Sequence, residues 1–139
     1  MTKKELLKNQ IVYWRSSAKK DWKTAKYLFL GKYYDACLFF CHLAIEKLLK
    51  GMVVIETKDT PPFIHQLVRL ATLACIEYSD EEESKLKLIT TFHIAGRYKE
   101  DKLAFYKKCT PAFTKKNLVL CKEVFVWLEK EYQKKLSKR

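Results

Sequence analysis

The sequence predicts an all-α fold, an up-and-down bundle of four to five helices. Three observations predict it: apolar residues recur at three- and four-residue spacing in successive runs, only 3 Gly and 3 Pro punctuate 139 residues, and no two-residue hairpin turn with alternating flanks occurs. A chain of this length can bury roughly two thirds of its unfolded surface, so it needs no disulfide or metal staple. No repeat or internal boundary divides it, and residues 1–139 are expected to form a single helical domain with a basic C-terminal tail.

The first helix is expected over about Gln10 to Leu30, where Ile11, Trp14, Ala18, Ala25 and Leu28 keep helical spacing through position 21, an acid. Gly31 closes it as a C-terminal breaker. A second helix fits Tyr33 to Ile55, with Leu38, Cys41, Ile45, Leu48, Leu49 and Met52 on an apolar face broad enough to imply central burial. Thr57 to Pro62 reads as a loop, and a third helix follows at Phe63 to Tyr78 with His65 in its first turn. Ser79 and Glu82 have capping-box spacing before a fourth helix, Asp80 to Ala95. Beyond Gly96 the pattern weakens to one short helical piece around Lys102 to Tyr106. Thr114 is then placed to cap a last helix, Lys115 to Tyr132, after which the basic end frays. The core expected from these faces is Trp14, Leu38, Cys41, Ile45, Leu48, Leu67, Ala71, Phe92, Leu118, Phe125 and Leu128.

The net charge of +12 attracts polyanions, which suits nucleic acid, a nucleotide, an acidic protein or an anionic surface. No apolar stretch reaches the ~18 residues of a membrane span and no secretory h-region follows Met1, so a cytoplasmic location without membrane contact is expected. Cys37, Cys41, Cys75, Cys109 and Cys121 are odd in number and embedded in apolar patterns, as reduced core thiols are. Cys37, Cys41 and His42 share a helical face, but there is no CxxC knuckle, and no metal or other cofactor is expected. Gly31, Gly51 and Gly96 are isolated, which excludes a phosphate-cradling Gly-rich loop, and no metalloprotease or nucleophile-elbow motif occurs.

The chemistry therefore rests on polar residues beside apolar faces. Asp21 interrupts the first seam, either as a carboxylate lining a groove or as a partner of a neighbouring lysine or tyrosine. His42, Glu46 and Lys50 repeat at i, i+4 and i+8, which makes either a functional stripe or a solvated ion-pair flank. His65, after Pro61-Pro62, is either ligand-facing or a surface first-turn histidine. Arg97 and Tyr98 follow Gly96 and place a guanidinium fork at a helix end, ready for a phosphate or for the helix-end carbonyls. Short connections put late first-helix residues near the early second helix, so Arg97 is expected to line a polar cleft approached by Asp21, His42 or Glu46. The runs Lys19-Lys20, Lys107-Lys108 and Lys115-Lys116 read as solubilising faces.

The ordered set Trp14, Ala18, Asp21, Ala25, then Gly31-Lys32-Tyr33-Tyr34-Asp35-Ala36, His42 to Lys50, Pro61 to Leu67, and Ala95-Gly96-Arg97-Tyr98 resembles the HEPN domain (higher eukaryotes and prokaryotes nucleotide-binding) over about residues 10–135. That resemblance implies a bundle of four to five helices, a homodimer with a cleft between subunits, and service beside a small nucleotidyltransferase as a toxin and antitoxin pair. Many such proteins are metal-independent ribonucleases whose motif is an Arg followed, after four to six intervening residues, by His. Arg97 matches the arginine, but Lys102, Leu103 and Ala104 stand where the histidine belongs. Leu and Ala cannot move a proton, and Lys102 would need a strongly depressed pKa. The Ala-x-Arg-Tyr form is associated with nucleotide or partner binding. The expectation is therefore a non-catalytic protein that binds a nucleotide, RNA or a nucleotidyltransferase partner through Arg97, Tyr98, Asp21, His42, Glu46, Lys50 and His65. The alternatives are a ribonuclease toxin using Arg97 and a ligand-free homodimeric adaptor. Tyr33, Tyr34, Phe39, Tyr98, Phe105 and Tyr106 are the surplus aromatics for a homodimer interface.

Overall fold

A capping box starts the first helix well before its apolar spacing begins. In the computed structural model, which describes residues 1–138, Thr2 Oγ1 accepts the Glu5 N–H at 3.1 Å and the Glu5 carboxylate accepts the Thr2 N–H at 3.4 Å. Helix α1 accordingly spans Lys3–Leu30, and its exposed polar first turns explain why the periodic pattern pointed only to Gln10. At its end Gly31 stays right-handed and Lys32 takes the left-handed conformation (φ 66°). The Tyr33 N–H closes on the Leu28 carbonyl at 2.9 Å and the Lys32 N–H on the Phe29 carbonyl at 3.0 Å, a Schellman closure. Gly31 is small for a different reason, since a Cβ there would lie 3.0 Å from the Tyr33 ring.

Helix α2, Tyr34–Thr57, is the central strut. It packs on α1 and α6 and also touches the three shorter helices between them. Leu38, Cys41, Ile45, Leu48, Leu49 and Met52 are fully buried, as the breadth of its apolar face requires. Gly51 is needed for a close approach: the Tyr132 ring lies where a Cβ would stand, and Tyr132 Oη donates to the Ile11 carbonyl at 2.6 Å. One tyrosine thereby ties α6 to α1 across α2.

The third predicted helix is much shorter. Residues 61–66 run outside any helix, so α3 covers only Leu67–Leu73, and His65 lies before the helix instead of in its first turn. Thr90 Oγ1 accepts the Leu67 N–H at 3.2 Å and stands in for the missing cap. Cys75 turns left-handed (φ 55°) to end the segment, with the Ile76 N–H on the Ala71 carbonyl at 3.1 Å. Helix α4, Asp80–Thr90, opens on the predicted Ser79/Glu82 capping box but stops five residues short of Ala95, in a turn carrying Phe92 and His93. The short piece expected at Lys102 to Tyr106 is a full helix, α5, Lys99–Lys108. Thr110, not Thr114, caps the last helix, with Pro111 in its first position, and α6 spans Pro111–Ser137. The basic end is thus helical to Ser137, and Arg139 lies outside the described residues.

The fold is all-α, and no strand occurs among the described residues. Of the predicted core, Trp14 and Leu118 are half-buried and the rest are buried. Among the surplus aromatics Tyr33, Tyr98 and Tyr106 are exposed, whereas Tyr34, Phe39 and Phe105 are half-buried. Cys37, Cys41, Cys109 and Cys121 are buried and Cys75 is exposed. Bonding to Cys41, then burial, pushes the Cys37 thiol far up, and burial pushes Cys109 up to about 12, so neither is a nucleophile. No described helix is long and apolar enough to cross a membrane.

Candidate functional site

The i, i+4, i+8 repeat sets His42, Glu46 and Lys50 on one side of α2, and all three are buried, at 0%, 5% and 6% exposure. The solvated-flank alternative therefore fails: the extended segment before α3 and the turn after α4 fold over the stripe. Each brings a histidine. His42 Nε2 donates to the His65 carbonyl at 3.1 Å, and His65 Nδ1 donates to Glu46 Oε1 at 2.8 Å. Lys50 Nζ holds the other oxygen, Glu46 Oε2, at 3.0 Å and lies over the Trp14 ring of α1. His93 stacks on His65 with ring centroids 4.0 Å apart and planes at 22°, and its ring centre is 5.0 Å from that of His42.

These contacts dictate the charges. Burial alone would raise the Glu46 carboxyl, but the hydrogen bonds from His65 and Lys50 outweigh it and hold the group below its ordinary value. Burial pushes His42 down to about 4 against the opposing pull of Glu46 and the His65 carbonyl. Burial and the neighbouring His65 lower His93 as well. At neutral pH Glu46 is therefore a carboxylate, and His42 and His93 are neutral imidazoles. Because a carbonyl can only accept, His42 carries its proton on Nε2, which leaves Nδ1 as a free base. That Nδ1 and the Nδ1 of His93 are both buried without a hydrogen-bond partner.

Outside the cluster lies an open groove of about 490 Å³, lined by His65, His93, Thr90, Arg69, Gly96 and Arg97 among others. Gly96 adopts φ 79°, which turns the chain so that Arg97 reaches this rim. Neither Arg69 nor Arg97 forms a salt bridge among the described residues, and both are exposed. A larger notch, about 570 Å³, lies between the start of α1 and the end of α2. Apolar and lysine side chains line it, and it is remote from the histidines.

Four of the predicted residues thus converge: His42, Glu46, Lys50 and His65. Arg97 shares the groove with His65 but pairs with no acid, so the expected approach of Asp21, His42 or Glu46 to its guanidinium is corrected. Tyr98 is 81% exposed at the N-cap of α5 and does not line the groove. Asp21 belongs elsewhere, with Lys47 Nζ 2.7 Å from its Oδ2 and the same ammonium donating to Ser17 Oγ at 2.8 Å. Sequence reasoning passed over His93 and Arg69. His93 falls in the apolar run Phe92-His93-Ile94, four residues before Arg97, and its weak signal was being the third of only 3 histidines.

A family model, the HEPN domain, matches residues 11–132. The chain belongs to the HEPN family. The crystal structure of an archaeal HEPN homologue is similar to this HEPN chain, with a TM-score of 0.68 at 16% identity over 88% of this chain and 97% of that one, which supports the shared fold. A search of curated proteins finds no match. In this HEPN domain Lys102, Leu103 and Ala104, the positions where the family's ribonuclease histidine is expected, are exposed on α5.

Proposed function

We propose that this HEPN protein binds the phosphate of a nucleotide or RNA in the groove between the segment before α3 and the turn after α4. The observation that carries it is a pair of exposed arginines, Arg69 and Arg97, without an acidic partner beside His65, whose ring the buried Glu46 fixes at 2.8 Å. A guanidinium fork with no internal carboxylate matches a phosphate oxygen pair, and the surrounding +12 charge favours polyanion approach. Titration of labelled RNA and of nucleoside triphosphates at two salt concentrations tests it. Arg97→Ala should weaken binding about tenfold, a charge-assisted hydrogen bond contributing roughly 1.5 to 3 kcal/mol. Unchanged affinity in Arg97→Ala and Arg69→Ala refutes it.

The reading proposed here is binding without cleavage. One observation favours the ribonuclease alternative: His65 donates from Nδ1 to Glu46, so its Nε2 is the basic nitrogen of a half-exposed ring near Arg97. RNA cleavage lost together in His65→Ala and Arg97→Ala would favour that reading over the first. Homodimerisation and a nucleotidyltransferase-fold partner, as in a toxin and antitoxin pair, complete the proposal on the strength of family membership. Exposed Tyr33, Tyr98 and Tyr106 are the aromatics available to such an interface. Sedimentation of the chain as a monomer at high micromolar concentration would remove the homodimer.

A further inference from the structure

We propose that His42, Glu46 and His93 form a binding site for a zinc-class divalent cation. One ligand atom from each of the three lies within 4.8 Å of the other two, at the centre of the cluster that α2 shares with the turn after α4. Two details of bonding distinguish this trio from a chance cluster of polar groups.

The first is the orientation of His42. Ligating histidines donate their second ring N–H to a carbonyl or carboxylate, which fixes the tautomer. His42 does this from Nε2 toward the His65 carbonyl at 3.1 Å, the same nitrogen standing 3.8 Å from Glu46 Oε1, and its other nitrogen, Nδ1, is fully buried and has no hydrogen-bond partner. The Nδ1 of His93 is buried and unpartnered too. A buried basic nitrogen without a hydrogen-bond partner is destabilising unless some group satisfies it.

The second is the state of Glu46. Its Oε2 is held by Lys50 and its Oε1 accepts from His65, so the carboxylate is oriented from both sides. Each carboxylate oxygen has two lone pairs, and Oε1 can keep the His65 bond while facing a cation. Two imidazoles and one carboxylate are a nitrogen and oxygen set suited to zinc, and three protein ligands leave a fourth position for water or a groove ligand. Tetrahedral bonds near 2.1 Å require ligand atoms about 3.4 Å apart. The trio must therefore close by about an ångström, a movement that rotation of His93, in a turn rather than a helix, can supply.

The site stands independently of whether the groove binds phosphate. The test uses the full chain without a histidine tag, titrated with zinc chloride by calorimetry and with cobalt chloride by visible absorption. The expected result is one ion per chain and a tetrahedral cobalt spectrum without a thiolate charge-transfer band. His93→Gln and Glu46→Gln should each weaken binding at least tenfold, while circular dichroism shows both variants still helical. Should either variant fail to fold, the other decides. Overturning results are no saturable binding at micromolar zinc, a thiolate band that assigns the metal to the cysteines, or affinity unchanged in the folded variant. RNA or nucleotide affinity of Arg97→Ala is measured alongside, so failure of the metal site and failure of the phosphate groove are separate outcomes.

Discussion

Helix α2 supplies the lysine of two acid and lysine pairs within a single turn of each other, and they have become different things. Lys47 reaches across to Asp21 of α1 at 2.7 Å, and Lys50 reaches along its own helix to Glu46 at 3.0 Å. The first pair sits at a seam edge, with side chains 22% and 11% exposed, and its further partner is Ser17. The second is sealed at 7% on both sides and is surrounded by three histidines and the Trp14 ring. Similar residue types thus make a clip between two helices in one place and a chemically loaded cluster in the other. What separates them is the covering layer: the first pair bridges two packed helices, whereas two non-helical segments with polar side chains close over Glu46.

The comparison is broken most severely at its buried end. Glu46→Ala leaves the Lys50 ammonium uncompensated beside buried imidazoles and should destabilise by about 3 to 5 kcal/mol in urea unfolding. A loss below about 1 kcal/mol would mean that the pair is solvated after all. Ile45→Ala, the neighbouring apolar position, calibrates that number against simple packing. It should lose about 2 to 5 kcal/mol, the usual range for truncating a buried branched aliphatic.

Gly51→Ala probes the same helix one residue beyond Lys50. The added methyl overlaps the Tyr132 ring and displaces the hydroxyl from the Ile11 carbonyl. A net loss of about 1 to 3 kcal/mol is expected despite the gain of up to about 1 kcal/mol in helix propensity, and a stabilised variant would show that Tyr132 can move freely. Smallest is Asp21→Asn at the seam edge. Asp21 is itself buried, but the Lys47 ammonium is partly exposed and can turn to water, so the loss should stay at about 1 kcal/mol and the thermal midpoint should shift by only a few degrees. A shift as large as that of Glu46→Ala would erase the distinction between the two pairs.

The same contrast shows where the sequence was legible. The apolar face of α2 announced its burial because its breadth left no solvent side, and the Ser79/Glu82 box named the start of α4 because capping is local. Thr2/Glu5 and Thr110-Pro111 were equally local signals at α1 and α6, eclipsed by the more conspicuous apolar runs. The stripe His42, Glu46, Lys50 was visible as a stripe, but its burial was not. Nothing in a period of 3.6 says whether an extended segment from residues 63–66 will lie across it.

By itself, then, the amino-acid order determined the helical class, the central role of α2 and the presence of ionisable groups beside its apolar face. These follow from spacing, and spacing is written in the chain. The tertiary structure decided which groups meet. His65 and His93 stand 23 and 51 positions beyond His42 in the sequence, and they join it because α3 starts only at Leu67 and α4 ends at Thr90. The two resulting turns are irregular backbone held against one face of α2. Their register depends on long-range packing and on bonds such as Thr90 to Leu67, for which no local period exists.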